Sequence, residues 1–239
     1  MENVKVLVRQ DEVTTKQWEL RAAATEFLAF SLSYPTSAHA KMVINGQWLG
    51  AANDMAYEIH APWSRSGWEN ELATGIDGLP MADPDALLRS LCAEATRLFV
   101  GAPNPLVSPY EGIWRAKEDG VKGLLFVNPH SMDVERFVKA CGLGRPAGTN
   151  EPLDHVATEL ELLSYLASRA SGEGASEDAV PADMLPNGSP SLAYRRFFRE
   201  HPATWLHSFA TELGEKTRLQ YYRAVAALLE ASLSAIDAS

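Results

Sequence analysis

The stretch LQYYRAVAALLEASLSAI, residues 219–236, decides the fold class. Its larger apolar side chains recur at alternating intervals of three and four residues, at Leu219, Tyr222, Ala226, Leu229, Leu233 and Ile236. This spacing places them on one face of an α-helix, where they form a continuous apolar seam. Other helices must cover a seam of this kind, and a bundle within one chain covers it most simply.

Signals of helix formation continue through most of the remaining chain. Apolar residues recur at helical spacing between Trp18 and Leu32, and no run of residues has the alternating pattern of a β-strand. Each candidate helix start has a side chain that can cap a helix. The candidates are Thr15, Asp83-Pro84, Ser131, Asp154 and Ser189-Pro190. We therefore predict an all-α fold for residues 1–239, a single-domain bundle of about eight to ten helices.

Three segments are predicted to lie outside the regular helices. Residues 124–127 form either a short strand or a buried coil, and residues 146–150 form a linker that contains proline and glycine. Residues 171–190 contain four acidic residues, no basic residue and many Gly, Ser and Pro residues. This composition predicts a mobile, solvated loop.

Composition and charge exclude several classes of protein. The 239 residues include 21 Lys and Arg against 31 Asp and Glu, a formal net charge of −10. Such a balance argues against a general nucleic-acid binder, since phosphates are neutralised by clustered basic residues. It is compatible with a basic partner, such as an arginine-bearing peptide. Apolar residues make up 46% of the chain, enough for a substantial core.

The sequence also favours the cytoplasm. Cys92 and Cys141 are the only cysteines, too few for a disulfide framework, and no Cys/His cluster has zinc-binding spacing. The longest apolar run, residues 224–229, is far shorter than the ~20 residues that a membrane span needs. The N-terminal residues lack the apolar region of a signal peptide.

The sequence EPLDHVATELE, residues 151–161, groups an acid, a histidine and a helix start behind a proline turn. Pro152 fixes the entry of the chain, and Asp154 can cap the helix by accepting hydrogen bonds from its first N–H groups. His155 and Glu159 lie four residues apart on one helical face and can meet. Three interpretations remain open here: a cap with a surface pair, a metal site, and a ligand-binding site.

A second candidate site is LFVGAPNPLVSPYEGIW, residues 98–114. Its prolines exclude a regular helix in the segment that ends at Pro109, and its aromatic residues predict partial burial. The stretch is either a buried irregular loop or the wall of a groove. In the second case Tyr110 and Trp114 offer flat apolar surface, and Glu111 offers a charge to a basic ligand.

Taken in order, these motifs resemble the TorD/DmsD/NarJ family of cytoplasmic chaperones, which serve the maturation of molybdenum-containing oxidoreductases. The resemblance rests on Leu-Phe-x-Gly at 98–101, Pro-Tyr-Glu-x-x-Trp at 109–114 and Glu-Pro-x-Asp-His-x-x-x-Glu-Leu at 151–160. It extends from the helix before Pro35 to the aromatic residues near Phe209.

The resemblance implies an all-helical protein that binds the N-terminal, twin-arginine type signal peptide of an apo molybdopterin oxidoreductase. Such a chaperone holds the peptide until the cofactor is inserted, and is itself neither an enzyme nor a metal or cofactor protein. The implied peptide-binding residues are Pro109, Tyr110, Glu111, Trp114, Pro152, Asp154, His155 and Glu159. This interpretation requires the 109–114 and 152–155 segments to lie together. It leaves open a monomer or a helix-exchanged dimer.

The chemistry of an arginine-bearing peptide agrees with these residues. Guanidinium–carboxylate pairs can be bidentate, and such charge-assisted bonds are stronger than neutral ones. Glu111 and Asp154 are the candidate acids, and Glu159 is a weaker candidate. Tyr110 and Trp114 can stack on arginine as well as line a groove.

Two functions of other classes are compatible with the same sequence. One is a metal-dependent helical hydrolase that uses His155 and Glu159 with either His201 or His207. The other is a structural assembly subunit that pairs through residues 219–236. Walker, dinucleotide-binding, GxSxG and HExxH signatures are missing, and we therefore expect a binding protein rather than an enzyme.

Overall fold

A computed structural model describes residues 13–69, 71–75, 78–101, 104–120, 128–145, 151–173 and 179–237. Within these residues the chain forms ten α-helices and no β-strand, which confirms the all-α prediction. No helix in these ranges is both long and apolar enough to cross a lipid bilayer. The helices are α1 (Thr15–Leu32), α2 (Ser37–Ile44), α3 (Gln47–Glu58), α4 (Pro84–Ala95), α5 (Glu111–Glu118), α6 (Pro129–Ala140), α7 (Val156–Ser171), α8 (Pro190–Glu200), α9 (Pro202–Lys216) and α10 (Gln220–Ile236). A short π-helical turn (Thr96–Val100) follows α4, and two 3-10 turns (Ala182–Met184 and Pro186–Gly188) precede α8.

The apolar seam of residues 219–236 lies in the interior of the protein. All six seam side chains are at most 4% exposed, and α10 packs against α9, α1 and α3. Two buried hydroxyls fasten the helix at its ends: Tyr221 donates to the Ser31 carbonyl at 3.1 Å, and Tyr194 donates to the Ile236 carbonyl at 2.7 Å. The seam is therefore covered by helices of its own chain.

Helices α1 and α7 lie side by side and form the most extensive helix pair in the structure. The Ser164 hydroxyl of α7 donates to the Ala22 carbonyl of α1 at 3.0 Å. Small residues of both helices, such as Ala24 of α1 and Ala167 of α7, are fully buried. The pairing matters for function because the outer edge of this helix pair forms a groove.

Two predicted helix starts are confirmed, and each has a proline at the first helical position. The Asp83 carboxylate accepts from the Asp85 N–H at 3.1 Å, and the Ser189 hydroxyl accepts from the Leu192 N–H at 3.2 Å. Proline fits there because the first N–H of a helix has no partner within the helix.

Two other predicted starts are wrong by one to three residues. Thr14, not Thr15, caps α1, and its hydroxyl accepts from the Gln17 N–H. Helix α6 is capped by Asn128, not Ser131, because Pro129 already occupies the first helical position. Ser131 therefore lies in the first turn of α6, and its hydroxyl is free to bond elsewhere.

The acidic segment predicted at 171–190 is partly structured. Two consecutive 3-10 turns occupy residues 182–188, and Leu185 between them is 2% exposed and contacts the core. The predicted solvation therefore does not extend to Leu185, whose apolar side chain is removed from water. The predictions on 124–127, 146–150 and 174–178 lie outside the described residues.

Candidate functional site

The two sequence motifs meet through their backbones. The Val156 N–H donates to the Pro109 carbonyl at 2.8 Å, and the Glu111 N–H donates to the Asp154 carbonyl at 3.0 Å. Between these bonds, Tyr110 and His155 form an antiparallel bridge. The segments that precede α5 and α7 thus pair like two short strands, as a shared site requires.

Asp154 caps α5 rather than α7. Its Oδ2 accepts from the Gly112 N–H at 2.9 Å and from the Ser131 hydroxyl at 2.6 Å. The Asn128 amide completes the arrangement by donating to the Gly112 carbonyl at 2.6 Å. The prediction that Asp154 caps the helix of its own motif is therefore wrong. The antiparallel pairing turns this side chain toward the start of α5, where free N–H groups and the helix dipole favour a carboxylate.

His155 takes the capping position of α7. Its Nδ1 accepts from the Ala157 N–H at 3.1 Å, which makes the ring the neutral tautomer with a proton on Nε2. Burial lowers the pKa of His155, consistent with the neutral ring. The ring also packs edge-on against Tyr110, with 5.4 Å between centroids. The expected pairing with Glu159 does not form, because the Glu159 carboxylate bonds to Trp205 instead.

Glu111 and Glu159 form a fully buried carboxyl pair beside these motifs. Glu111 Oε2 accepts from His201 Nδ1 at 2.8 Å, and its Oε1 lies 3.4 Å from Arg115 Nη1. Glu159 Oε2 accepts from Trp205 Nε1 at 3.0 Å. Burial and then the negative charge of Glu111 raise the pKa of Glu159 well above the ordinary carboxyl value. We therefore assign Glu159 as the protonated acid of the pair.

This assignment predicts that the protein loses stability as pH rises through the Glu159 titration. The folded state binds the proton more tightly than the unfolded chain, whose carboxyl titrates near 4.5, so stability falls from that pH up to the raised folded-state pKa. Each pKa unit of elevation corresponds to about 1.4 kcal/mol. Glu159→Gln imitates the protonated acid, and we expect a flatter curve of unfolding free energy between pH ~5 and ~8 in urea titrations.

The control for this prediction is Glu26→Gln, which neutralises an exposed carboxylate on α1. This variant is expected to keep the pH dependence of the parent protein. If Glu159→Gln also keeps it, Glu159 is ionised in the folded state and the assignment of a protonated Glu159 is wrong.

Most of the predicted peptide-binding residues are interior. The buried ones are Pro109, Glu111, Trp114, Pro152, Asp154 and Glu159. Only Tyr110 and His155 are partly exposed, and the Tyr110 hydroxyl donates to Glu151 Oε1 at 3.1 Å. A ligand arginine cannot reach either predicted acid directly, because the side chains of Glu111 and Asp154 are fully buried. These residues therefore support the surface of the site from the protein interior.

A concave surface lies next to the joined motifs. A pocket of about 320 Å³ opens beside the proline turn, and its walls include Val138, Leu143, Glu151, Pro152, Leu153, Thr158, Glu161 and Leu162. A groove of about 560 Å³ runs between α1 and α7, and its walls include Glu26, Phe30, Ser33, Glu161, Ser164, Tyr165 and Ser168. Glu161 lines both concavities, which makes them neighbours. The combined surface offers apolar walls and three exposed carboxylates, Glu26, Glu151 and Glu161.

Glu26 and Glu161 were missed by sequence reasoning. Neither carboxylate has an ion pair or a hydrogen bond with a described residue, and partial burial raises the pKa of Glu161. Each acid is followed four residues later by an aromatic residue, Phe30 and Tyr165 respectively. This repeated acid–aromatic spacing was the available signal, but only the packing of α1 on α7 brings its two copies together.

A third concavity, of about 580 Å³, lies on the Trp114 side of α5. Lys117 partly covers it, with its Nζ 5.8 Å from the Trp114 ring centroid and 3.7 Å from Glu212 Oε1. Because Lys117 and Arg115 already pair with its two acids, Glu212 and Glu118, this pocket is a poorer match for a cationic ligand than the groove between α1 and α7.

The ten-helix fold and the joined motifs define an all-α protein of the TorD/NarJ class. The family model described as nitrate reductase delta subunit matches residues 66–211, which is more than half of the chain. The chain therefore belongs to the TorD/NarJ family, as its motifs predict.

The curated relatives named chaperone protein TorD agree with this assignment. The protein named chaperone protein TorD of Escherichia coli O81 is 30% identical over 169 residues, 69% of this chain and 68% of its own length. The one from Aliivibrio fischeri is 28% identical over 139 residues, and the match spans 58% of this chain and 59% of that relative. A solved Archaeoglobus fulgidus structure, described as a redox enzyme maturation protein, is 17% identical with a TM-score of 0.44 and covers 96% of this chain and 99% of its own.

Proposed function

We propose that this protein is a maturation chaperone that binds the N-terminal, twin-arginine type signal peptide of an apo molybdopterin oxidoreductase. The observation that carries the proposal is the acidic and apolar surface beside the joined motifs, whose exposed acids Glu26 and Glu161 lack ionic partners among the described residues. The names of the TorD relatives support the chaperone class. Holding a peptide needs a complementary surface and no nucleophile, so the protein acts by binding and not by catalysis.

The arginine side chains bind in the groove between α1 and α7. Glu26 and Glu161 supply carboxylates, and a guanidinium pairs with a carboxylate in a bidentate, charge-assisted geometry. Phe30 and Tyr165 supply aromatic surface on which the same guanidinium groups can stack. Two acids and two aromatics in one groove match two consecutive arginines.

The apolar part of the peptide binds in the pocket beside the proline turn. Pro152, Leu153 and Leu162 form its floor, and all three side chains are buried in the free protein. Leu143, at the rim, is 38% exposed and gains the most from being covered. Glu161 lies on α7 and lines both the groove and the apolar pocket, so the bound peptide crosses α7 at this residue.

The joined motifs act in this proposal by fixing the shape of the surface. Asp154 and His155 each cap a helix, and their backbones hold the proline turn that forms the pocket wall. A rigid pocket loses less conformational entropy when it binds, which favours affinity. While the chaperone holds the signal peptide, the client enzyme stays in the cytoplasm and is not exported until its cofactor has been inserted.

The alternative of a metal-dependent hydrolase receives less support. It requires His155 and Glu159 to share an ion, but the His155 Nδ1 is used as a helix cap and Glu159 bonds to Trp205 in the interior. His207 does not join them either, because its Nδ1 pairs with Glu230 Oε1 at 2.9 Å. No described residue supplies these two groups with a common ligand position.

Calorimetry with a synthetic peptide tests the proposed function. The peptide carries an Arg-Arg pair followed by an apolar segment, and a matched peptide carries Gln-Gln in place of the pair. We expect the Glu26→Gln, Glu161→Gln double variant to bind the arginine peptide about tenfold or more weakly, because two charge-assisted pairs are lost. The glutamine peptide is expected to bind weakly to both proteins.

The control variant is Asp54→Asn, Glu58→Gln, which removes the same charge from exposed positions of α3 that line neither concavity. It is expected to bind like the parent protein. Equal binding by all variants would place the peptide elsewhere, and equal binding of both peptides would contradict recognition of the arginine pair.

A further inference from the structure

His201 occupies an unusual position between α8 and α9. It is the C-cap residue of α8 and the N-cap residue of α9, and its side chain is only 3% exposed. The Nδ1 lies 2.8 Å from Glu111 Oε2, while the Nε2 is buried without a hydrogen-bond partner among the described residues. Buried polar atoms almost always have a partner, so this nitrogen requires an explanation.

The Glu111 contact fixes the orientation of the His201 ring. A carboxylate accepts, so Nδ1 donates to Glu111 and Nε2 lies on the other side of the ring. There Nε2 is 3.8 Å from Asp133 Oδ2, and one ligand atom each of Asp133, Glu200 and His201 lie within 4.8 Å of one another. A bound cation would give this buried nitrogen the partner it lacks and would be attracted by the two neighbouring carboxylates.

We propose that Asp133, Glu200 and His201 bind a divalent transition-metal ion, with zinc as the best match. Zinc accepts an imidazole nitrogen and carboxylate oxygens, with a water molecule as the fourth ligand of a tetrahedron. With bonds of about 2 Å such ligand atoms lie about 3.4 Å apart, so the observed atoms need to approach by a small side-chain rotation. The Glu111–His201 bond is the outer carboxylate–histidine contact that zinc-bound histidines usually make.

The neighbouring arginines are compatible with this site. Arg136 Nη2 bonds to Asp133 Oδ1 at 2.7 Å, and Arg196 Nε bonds to Glu200 Oε2 at 2.9 Å. Each arginine therefore holds one oxygen of its acid and leaves the other oxygen for an ion. Asp133 and Glu200 are about half exposed, which gives an ion a path from solvent. The bound ion ties α6 to the junction of α8 and α9 and is independent of peptide binding.

Titration of the metal-free, full-length protein tests this proposal with two probes. Zn²⁺ binding is measured by calorimetry, and Co²⁺ binding is measured by the visible absorption of a tetrahedral complex. We expect one ion per chain, and Asp133→Asn or Glu200→Gln should each weaken Zn²⁺ binding about tenfold or more. Both substitutions are at exposed positions and preserve side-chain volume, so the variants should fold.

The control is His207→Ala, which removes an exposed histidine that pairs with Glu230 and offers a competing surface site. It is expected to leave the stoichiometric ion in place. The proposal is overturned if no ion binds. It is equally overturned if binding persists in both acid variants and disappears in His207→Ala.

Discussion

Replacing Asp154 with alanine is expected to lower the free energy of unfolding by about 3 kcal/mol. The substitution removes the acceptor of the Gly112 N–H and of the Ser131 hydroxyl, and both donors lie in the interior. It also removes the negative charge at the start of α5, where the helix dipole favours it. Urea unfolding of the full-length protein, followed by circular dichroism, measures the loss.

Two milder variants distinguish the cap from a general effect of altering the interior. Asp154→Asn keeps one side-chain oxygen in place and is expected to cost about 1 kcal/mol, and Ser131→Ala, which removes one donor, should cost about the same. The alanine variant of Asp154 must therefore be clearly the least stable of the three. If it is no less stable than Ser131→Ala, Asp154 does not hold α5 in place.

Replacing Gly112 with alanine is expected to destabilise the protein by about 2–3 kcal/mol. An added methyl group would overlap the Ser131 hydroxyl, and it would lie 3.0 Å from Asp154 Oδ2 and 3.2 Å from Asn128 Cβ. These three neighbours are the groups that join α5, α6 and the 152–155 turn. They cannot move apart without lengthening the hydrogen bonds that they form with one another and with the Gly112 backbone.

Gly50→Ala is the matched control for this steric prediction. Gly50 lies within α3, and an added Cβ would meet no atom within 4 Å. Alanine is the better helix former, so this variant should gain about 0.5–1 kcal/mol. The two glycine-to-alanine changes therefore have opposite expected signs in the same urea experiment. A gain at both positions would show that the space around Gly112 is not closed.

The buried position of the motif acids changes how the family motif is interpreted. The resemblance to the family predicts that Glu111 and Asp154 bind the ligand, whereas both carboxylates here have internal partners. Under the proposed function, a substitution at either position would weaken peptide binding by disturbing the fold. Measurements of stability must therefore accompany measurements of binding when these residues are varied, and the exposed acids Glu26 and Glu161 give the cleaner test.

The sequence was sufficient to predict the all-α fold and two of the helix starts. Helical periodicity is a local property, and the apolar seam of residues 219–236 needs cover whatever the arrangement of the other helices. The starts at Asp83 and Ser189 followed from capping residues with an adjacent proline. The resemblance to the TorD/NarJ family placed the 109–114 and 152–155 segments in one site.

Only the tertiary structure decided which group each polar side chain serves. Sequence spacing paired Asp154 with its own helix and His155 with Glu159. In the structure, antiparallel pairing of two loops turns Asp154 toward α5, and Glu159 lies beside Trp205 and Glu111. The groove acids Glu26 and Glu161 are brought together by helix packing across most of the chain. Local sequence determines backbone preference through nearby sterics and capping, whereas hydrogen-bond partners and charge environments depend on atoms that only folding makes neighbours.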